Sequence, residues 1–155
     1  MKRYLAYIFA ALFLFVYVNE SYAQSSHHGK KSHRQISSYA ARYTTAADSA
    51  YLDALHTGQP YLVWCTYYGR STHGRRTASG EIHDMNAYVC AHLILPFGTK
   101  VKLRNPKNGK EIIVKVNDRG PHSRKYKFDL SYGAARELDF LRAGIIQLEM
   151  TVLGK

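Results

Sequence analysis

Apolar and polar positions alternate along the second half of the chain, and that alternation predicts its elements. Residues 99–105 set Val101 and Leu103 against Lys100, Lys102 and Arg104, the period of two that a half-buried strand requires. Residues 110–117 repeat the pattern with Ile112, Val114 and Val116, and Asn108-Gly109 between the two segments signals a hairpin turn. A third alternation over 145–153 sets Ile146, Leu148, Met150 and Val152 against Gln147, Glu149 and Thr151. Two apolar runs, Tyr61–Tyr68 and Met85–His92, also predict strands. One helix is expected over Tyr132–Leu141, capped by Ser131 and ended before Gly144. Short strands with a single helix predict a mainly β domain over 59–155, a small barrel around one core.

The N-terminal part breaks this pattern. Lys2 and Arg3 precede the apolar run Leu5–Val18, and Ser21 and Ala23 place small residues before a cleavage point. This is the layout of a secretory signal peptide over 1–23. The run is 14 residues, short of the roughly 18 needed to span a membrane. No Cys near the cleavage point could take a lipid, so the expectation is an exported, periplasmic protein with no stable membrane anchor. Residues 24–58 are polar and small and read as a flexible leader. Within it, Asp48 to His56 can wind a helical turn or two with Asp48 as cap.

A formal net charge of +11 suits an anionic polymer such as cell-wall glycan. Nucleic acid would suit the charge too, but an exported protein rarely meets it. The same charge would also serve solubility alone. Cys65 and Cys90 are an even pair in an oxidising compartment, which favours one disulfide over two buried thiols.

The chemistry-bearing residues fall on glycine-rich turns and strand ends, where side chains face outward. Glu81 follows Gly80, His92 closes an apolar run, and Asp118 opens the turn Asp118-Arg119-Gly120-Pro121. On residue type alone, Asp118 is favoured as a turn residue bonding the Gly120 backbone. Glu81 has an alternative as an ion-pair partner of Arg75 or Arg76, and His92 as a hydrogen-bonded structural histidine. Asp129 reads as a structural acid near the start of the helix. Trp64, Tyr67 and Tyr68 are candidate aromatic floors for a sugar ring, but Trp64 and Tyr68 fall on one strand face and Tyr67 on the other, so at least one is expected in the core. His73, His83 and His122 have no fixed spacing, and neither a metal nor a cofactor is expected.

Several uncommon motifs occur in order: Tyr67-Tyr68-Gly69, Gly74-Arg75-Arg76-Thr77-Ala78-Ser79-Gly80-Glu81, Asp84-Met85-Asn86-Ala87, Ala91-His92, Leu95-Pro96-Phe97-Gly98-Thr99, Asn117-Asp118-Arg119-Gly120-Pro121 and Asp129-Leu130-Ser131. Together they resemble the RlpA-like family, named for rare lipoprotein A, from about Gln59 to Leu153. The resemblance implies a six-stranded double-psi β-barrel, the fold of expansins and barwin-like proteins. It also implies an endolytic peptidoglycan lytic transglycosylase, which cleaves the MurNAc–GlcNAc β-1,4 bond and leaves a 1,6-anhydro end. Such a reaction needs an acid at the leaving oxygen and a base at the sugar's C6 hydroxyl. On this resemblance Asp118 is the expected acid with Glu81 and His92 supporting, and Tyr67, Tyr68, Thr77 and Arg119 contact substrate. Peptidoglycan strands are the expected partner, with cell-division proteins as further partners of a monomer. The alternative is a non-catalytic, expansin-like wall-binding module. The chain departs from the family in lacking a lipidated Cys and a SPOR domain, and in having Cys65 and Cys90 where small residues are usual. Two such replacements together strengthen the expectation of a disulfide.

Overall fold

The computed structural model describes residues 46–155, so the signal peptide and the leader up to residue 45 lie outside the described residues. The elements in chain order are α1 (Ala46–Thr57), β1 (Tyr61–Tyr67), β2 (Val89–Ala91), β3 (Lys100–Arg104), β4 (Glu111–Asp118), β5 (Tyr126–Leu130), α2 (Tyr132–Glu137) and β6 (Ile146–Gly154). The six strands close into a barrel in the order β1-β5-β2-β4-β3-β6. Pairs β1/β5 and β2/β4 are parallel, and the other four are antiparallel.

Alternation fills the barrel as expected. Val101, Leu103, Val114, Val116, Leu148 and Met150 are fully buried, while their polar neighbours face out. The β3–β4 hairpin turns at Gly109, whose φ of +75° suits glycine. Asn105 and Asn108 both donate side-chain amides to the Leu138 carbonyl, at 2.8 and 3.2 Å, and so tie the hairpin to the end of α2. Ser131 caps α2 by accepting from the Ala134 N–H at 3.2 Å.

Four expectations change. The helix ends at Glu137 rather than Leu141, because Asp139 takes a φ of +59° that no helix accommodates. The run Met85–His92 is mostly turn, with only Val89–Ala91 as strand. The sixth strand, β5, was not legible as one: it is five residues long, framed by a basic segment and by the helix cap. Finally, part of the expected leader belongs to the folded unit. Helix α1 buries Tyr51, Ala54 and Leu55, one apolar stripe at helical spacing, and Asp48 pairs inside its first turn with Lys127 at 3.9 Å.

Cys65 and Cys90 are both buried free thiols. Strand β5 runs between their strands, which puts their Cα atoms about two strand spacings, roughly 10 Å, apart. A disulfide needs less than about 7 Å. Each thiol instead fills the barrel interior as a small apolar group, and burial pushes both pKa values up.

Candidate active site

The site forms where four adjacent strands come into register. Pairing aligns Asp118 of β4 with Ala91 of β2, Ala91 with Asp129 of β5, and Asp129 with Thr66 of β1. Residues paired across strands present their side chains to the same face. Strict alternation after Ile112, Val114 and Val116 would have turned Asp118 into the core. An extra residue prevents this: Cys90 pairs with Val116 but Ala91 pairs with Asp118, which leaves Asn117 as a bulge. Bulges re-aim the side chain that follows them. The two aspartates therefore stand on one outer face, on the order of 10 Å apart at Cα, with the Ala91 methyl between them.

Three donors converge on Asp118. Its Oδ1 accepts from the N–H groups of Ala78 and Arg119, both at 2.8 Å, and its Oδ2 accepts from the Tyr68 hydroxyl at 2.9 Å. Burial, then the Asp118 charge, pushes the Tyr68 pKa above the usual phenol range, so the hydroxyl stays a donor. The Ala78 donor comes from the β1–β2 connection, which folds back as a small hairpin. Gly74 N–H reaches the His83 carbonyl at 2.9 Å, and His83 N–H reaches the Arg75 carbonyl at 2.8 Å. Its tip lies on the end of β4, where Ser79 N–H meets the Asn117 carbonyl at 3.2 Å.

Asp129 sits deeper. The Thr66 hydroxyl donates to its Oδ1. Burial raises its pKa above the ordinary carboxylate value; the Thr66 bond opposes this, and the Asp118 charge adds to it. Gly120 closes over the row: a Cβ there would lie 3.6 Å from the Ala91 methyl and 3.7 Å from Asp129 Oδ2. Its φ of +146° belongs to a region essentially reserved for glycine.

The residues nominated from sequence divide. Asp118 and Tyr68 meet at the site. Glu81 lies on the same hairpin, but its carboxylate turns to Lys115 Nζ at 2.8 Å and Asn117 Nδ2 at 2.9 Å, rather than to Arg75 or Arg76. Those bonds hold its pKa below the usual value and anchor the hairpin tip.

His92 is 1% exposed and faces inward. Its Nδ1 accepts from the N–H groups of Ile94 and Leu95, at 3.3 and 2.9 Å, and its Nε2 meets the Tyr51 hydroxyl. Burial, helped by the charges of Arg119 and Lys127, pushes its pKa down to about 3. Its contacts fasten α1 to the barrel rather than reach the aspartate row.

Tyr67 points to the opposite face from Tyr68, packs edge-on against Phe140, and donates to the Leu141 carbonyl at 3.0 Å. Thr77 is buried, and its hydroxyl holds the hairpin turn by donating to the Glu81 carbonyl at 3.1 Å. The Arg119 guanidinium lies 3.7 Å over the Phe97 ring and donates to the His92 and Leu95 carbonyls at 3.0 and 2.9 Å. It therefore sets the loop after β2. Asp129 and Thr66 are the members that sequence reading missed. The apolar alternation of Tyr126, Phe128 and Leu130 around Asp129 was the available signal. Among the described residues, no three His, Cys, Asp or Glu side chains gather where they could hold a metal ion.

Known proteins resemble this chain in sequence and in fold. The chain is 52% identical over 87 residues to a probable endolytic peptidoglycan transglycosylase RlpA of Treponema pallidum, covering 56% of this chain and 27% of that protein. It is 34% identical over 112 residues to the endolytic peptidoglycan transglycosylase RlpA of Campylobacter jejuni, covering 72% and 41%. The chain thus spans well under half the length of these curated relatives. Among solved structures, Streptomyces papain inhibitor aligns with a TM-score of 0.50 at 23% identity, over 61% of this chain and 94% of that one. A mutant Clavibacter michiganensis expansin in complex with cellohexaose aligns at 0.50 and 21%, over 61% and 50%. These two share the double-psi β-barrel fold and show the fold alone. The family model described as lytic transglycolase matches residues 63–150, from Val63 in β1 to Met150 in β6 and so across the whole aspartate row: the chain belongs to the lytic transglycolase family.

Proposed function

We propose that the chain is an exported, periplasmic endolytic peptidoglycan transglycosylase whose reacting groups are Asp118 and Asp129. The observation that carries this is the register row itself, two carboxylates on one outer face with a single methyl between them. The roles follow from their surroundings. Asp129, with its pKa raised, holds a proton to higher pH than an ordinary carboxylate and gives it to the glycosidic oxygen. The C1–O bond breaks as the sugar's own C6 hydroxyl attacks C1. Asp118, oriented by three donors, takes the C6 proton and faces the positive charge that develops on the ring. Exchange with solvent then resets both groups. The expected roles thus change: Asp118, expected as the acid, becomes the acceptor, and Asp129 rather than Glu81 is its counterpart. The RlpA relatives, by name, support the substrate class.

The test is release of fragments from purified peptidoglycan sacculi, read by mass spectrometry. Anhydro-muropeptides made by the native chain and lost in both Asp118→Asn and Asp129→Asn, with Glu81→Gln still active, support the reading. Binding to sacculi without any anhydro product would instead assign a non-catalytic wall-binding module. Products that survive Asp129→Asn but not Glu81→Gln would return the acid role to the hairpin.

A further inference from the structure

The face that carries the aspartates continues along β1 and β5 beyond the site. Trp64 lies two positions before Thr66 on β1 and so on the same outer face. It pairs with Tyr126 across a register shift that leaves Lys127 of β5 as an extra residue, and this bulge keeps the Tyr126 ring beside Trp64. On the other flank Trp64 pairs with Gln147 of β6. The ammonium of Lys125 stands 4.8 Å from the centre of the Trp64 ring and 5.5 Å from that of Tyr126. The core needs nothing from this ring, because β1 fills the interior from its opposite face with Val63 and Cys65. Trp64 instead remains 36% exposed, an apolar area left in water that folding does not recover.

We infer that Trp64, Lys125 and Tyr126 form a sugar-binding subsite for an amino-sugar ring that bears a carboxylate. This deepens the transglycosylase reading and rests on it for the identity of the strand. The chemistry matches group by group. The apolar face of a pyranose ring packs on an aromatic face. The ammonium answers a carboxylate on the lactyl ether or stem peptide, and the Gln147 amide answers sugar hydroxyls. An exposed cation–π contact is worth only about 0.5–1 kcal/mol, so an incoming anion can draw Lys125 off the ring and open it. Two residues along β1 span on the order of 7 Å, about the length of one sugar unit. The subsite therefore lies one sugar ring along the strand from the Thr66–Asp129 pair.

Trp64 is the only tryptophan of the chain, so its emission reports this surface alone. The full chain carrying Asp118→Asn, which leaves glycan uncut, is titrated with chito-oligosaccharide, an N-acetylglucosamine polymer that has no carboxylate, and with peptide-free glycan strands, whose lactyl ethers carry one. The subsite predicts a saturable change in Trp64 emission, at lower concentration with the carboxylate-bearing strands, and Lys125→Ala removes that difference. In the active chain, Trp64→Ala raises KM for glycan release roughly three- to tenfold, the range for loss of one aromatic stacking contact, and leaves kcat within about twofold. If emission titrates but no chain yields anhydro products, the subsite stands and the lytic reading falls. If anhydro products appear while Trp64 emission stays flat and Trp64→Ala leaves KM unchanged, the lytic reading stands and the subsite is overturned.

Discussion

Lowering the pH from about 7.5 to about 5 should cost the fold about 2 kcal/mol through His92 alone. Both Ile94 and Leu95 aim N–H groups at Nδ1, so Nδ1 is the unprotonated nitrogen, and Nε2 carries the proton toward Tyr51. A second proton would have to go on Nδ1, against two donors and in a site closed to water. The fold therefore takes it only near pH 3, whereas a free imidazole takes it near 6.5. Between those values the unfolded chain binds the proton and the native chain does not. Stability accordingly falls as pH falls, by about 1.4 kcal/mol per unit once below 6.5. With a urea slope of about 1–2 kcal/mol per molar, the midpoint should drop by roughly 1–2 M. Two other groups act in or near this window. His83, also lowered by burial, adds to the slope. Asp129, raised by burial, binds its proton in the fold first and works against it. Urea titrations by circular dichroism at a series of pH values, repeated with His92→Gln, separate the terms. The variant should have a flatter slope below pH 6.5. Equal slopes in the two chains, or a native midpoint unchanged between pH 7.5 and 5, would refute the argument and reopen a role for His92 at the surface.

The thiol prediction is direct: without reductant, the native chain should react negligibly with a thiol reagent, and the urea-unfolded chain should titrate two thiols. Finding none after unfolding would restore the disulfide. Gly133→Ala should lower stability by about 1–3 kcal/mol, because the new Cβ would meet the Asn86 carbonyl oxygen at 2.5 Å and its carbon at 2.9 Å; a thermal melt reads this, and an unshifted melt would show that the approach of α2 to that loop is slack. The rate of anhydro-product release should fall on the alkaline side, with a midpoint above the usual carboxylate value near 4, because Asp129 must hold its proton. Thr66→Val removes the one hydrogen bond that lowers the Asp129 pKa, so the limb should move to higher pH; movement to lower pH would contradict the assigned acid.

Much of this protein is written in short-range pattern. Period-two alternation set β3, β4 and β6 and the inward residues of each, because a pleated strand has only two faces and one of them must be apolar. The Asn-Gly turn and the Ser131 cap were legible for the same reason: each is satisfied by atoms a few residues away. The motifs on glycine turns also located Asp118 and its loop. Tertiary structure decided what depended on residues distant in sequence. Whether a histidine faces water or core depends on α1, which places Tyr51 against His92 from 41 positions away. The disulfide expected from parity failed because β5, the strand that was not read, inserts between the two cysteines. The candidate pair of carboxylates follows the same logic: Asp129 meets Asp118 only through β2, and Asp118 faces out only because the pairing of β4 with β2 skips Asn117. Local sequence determines which faces a strand offers, whereas cross-strand register determines what those faces meet.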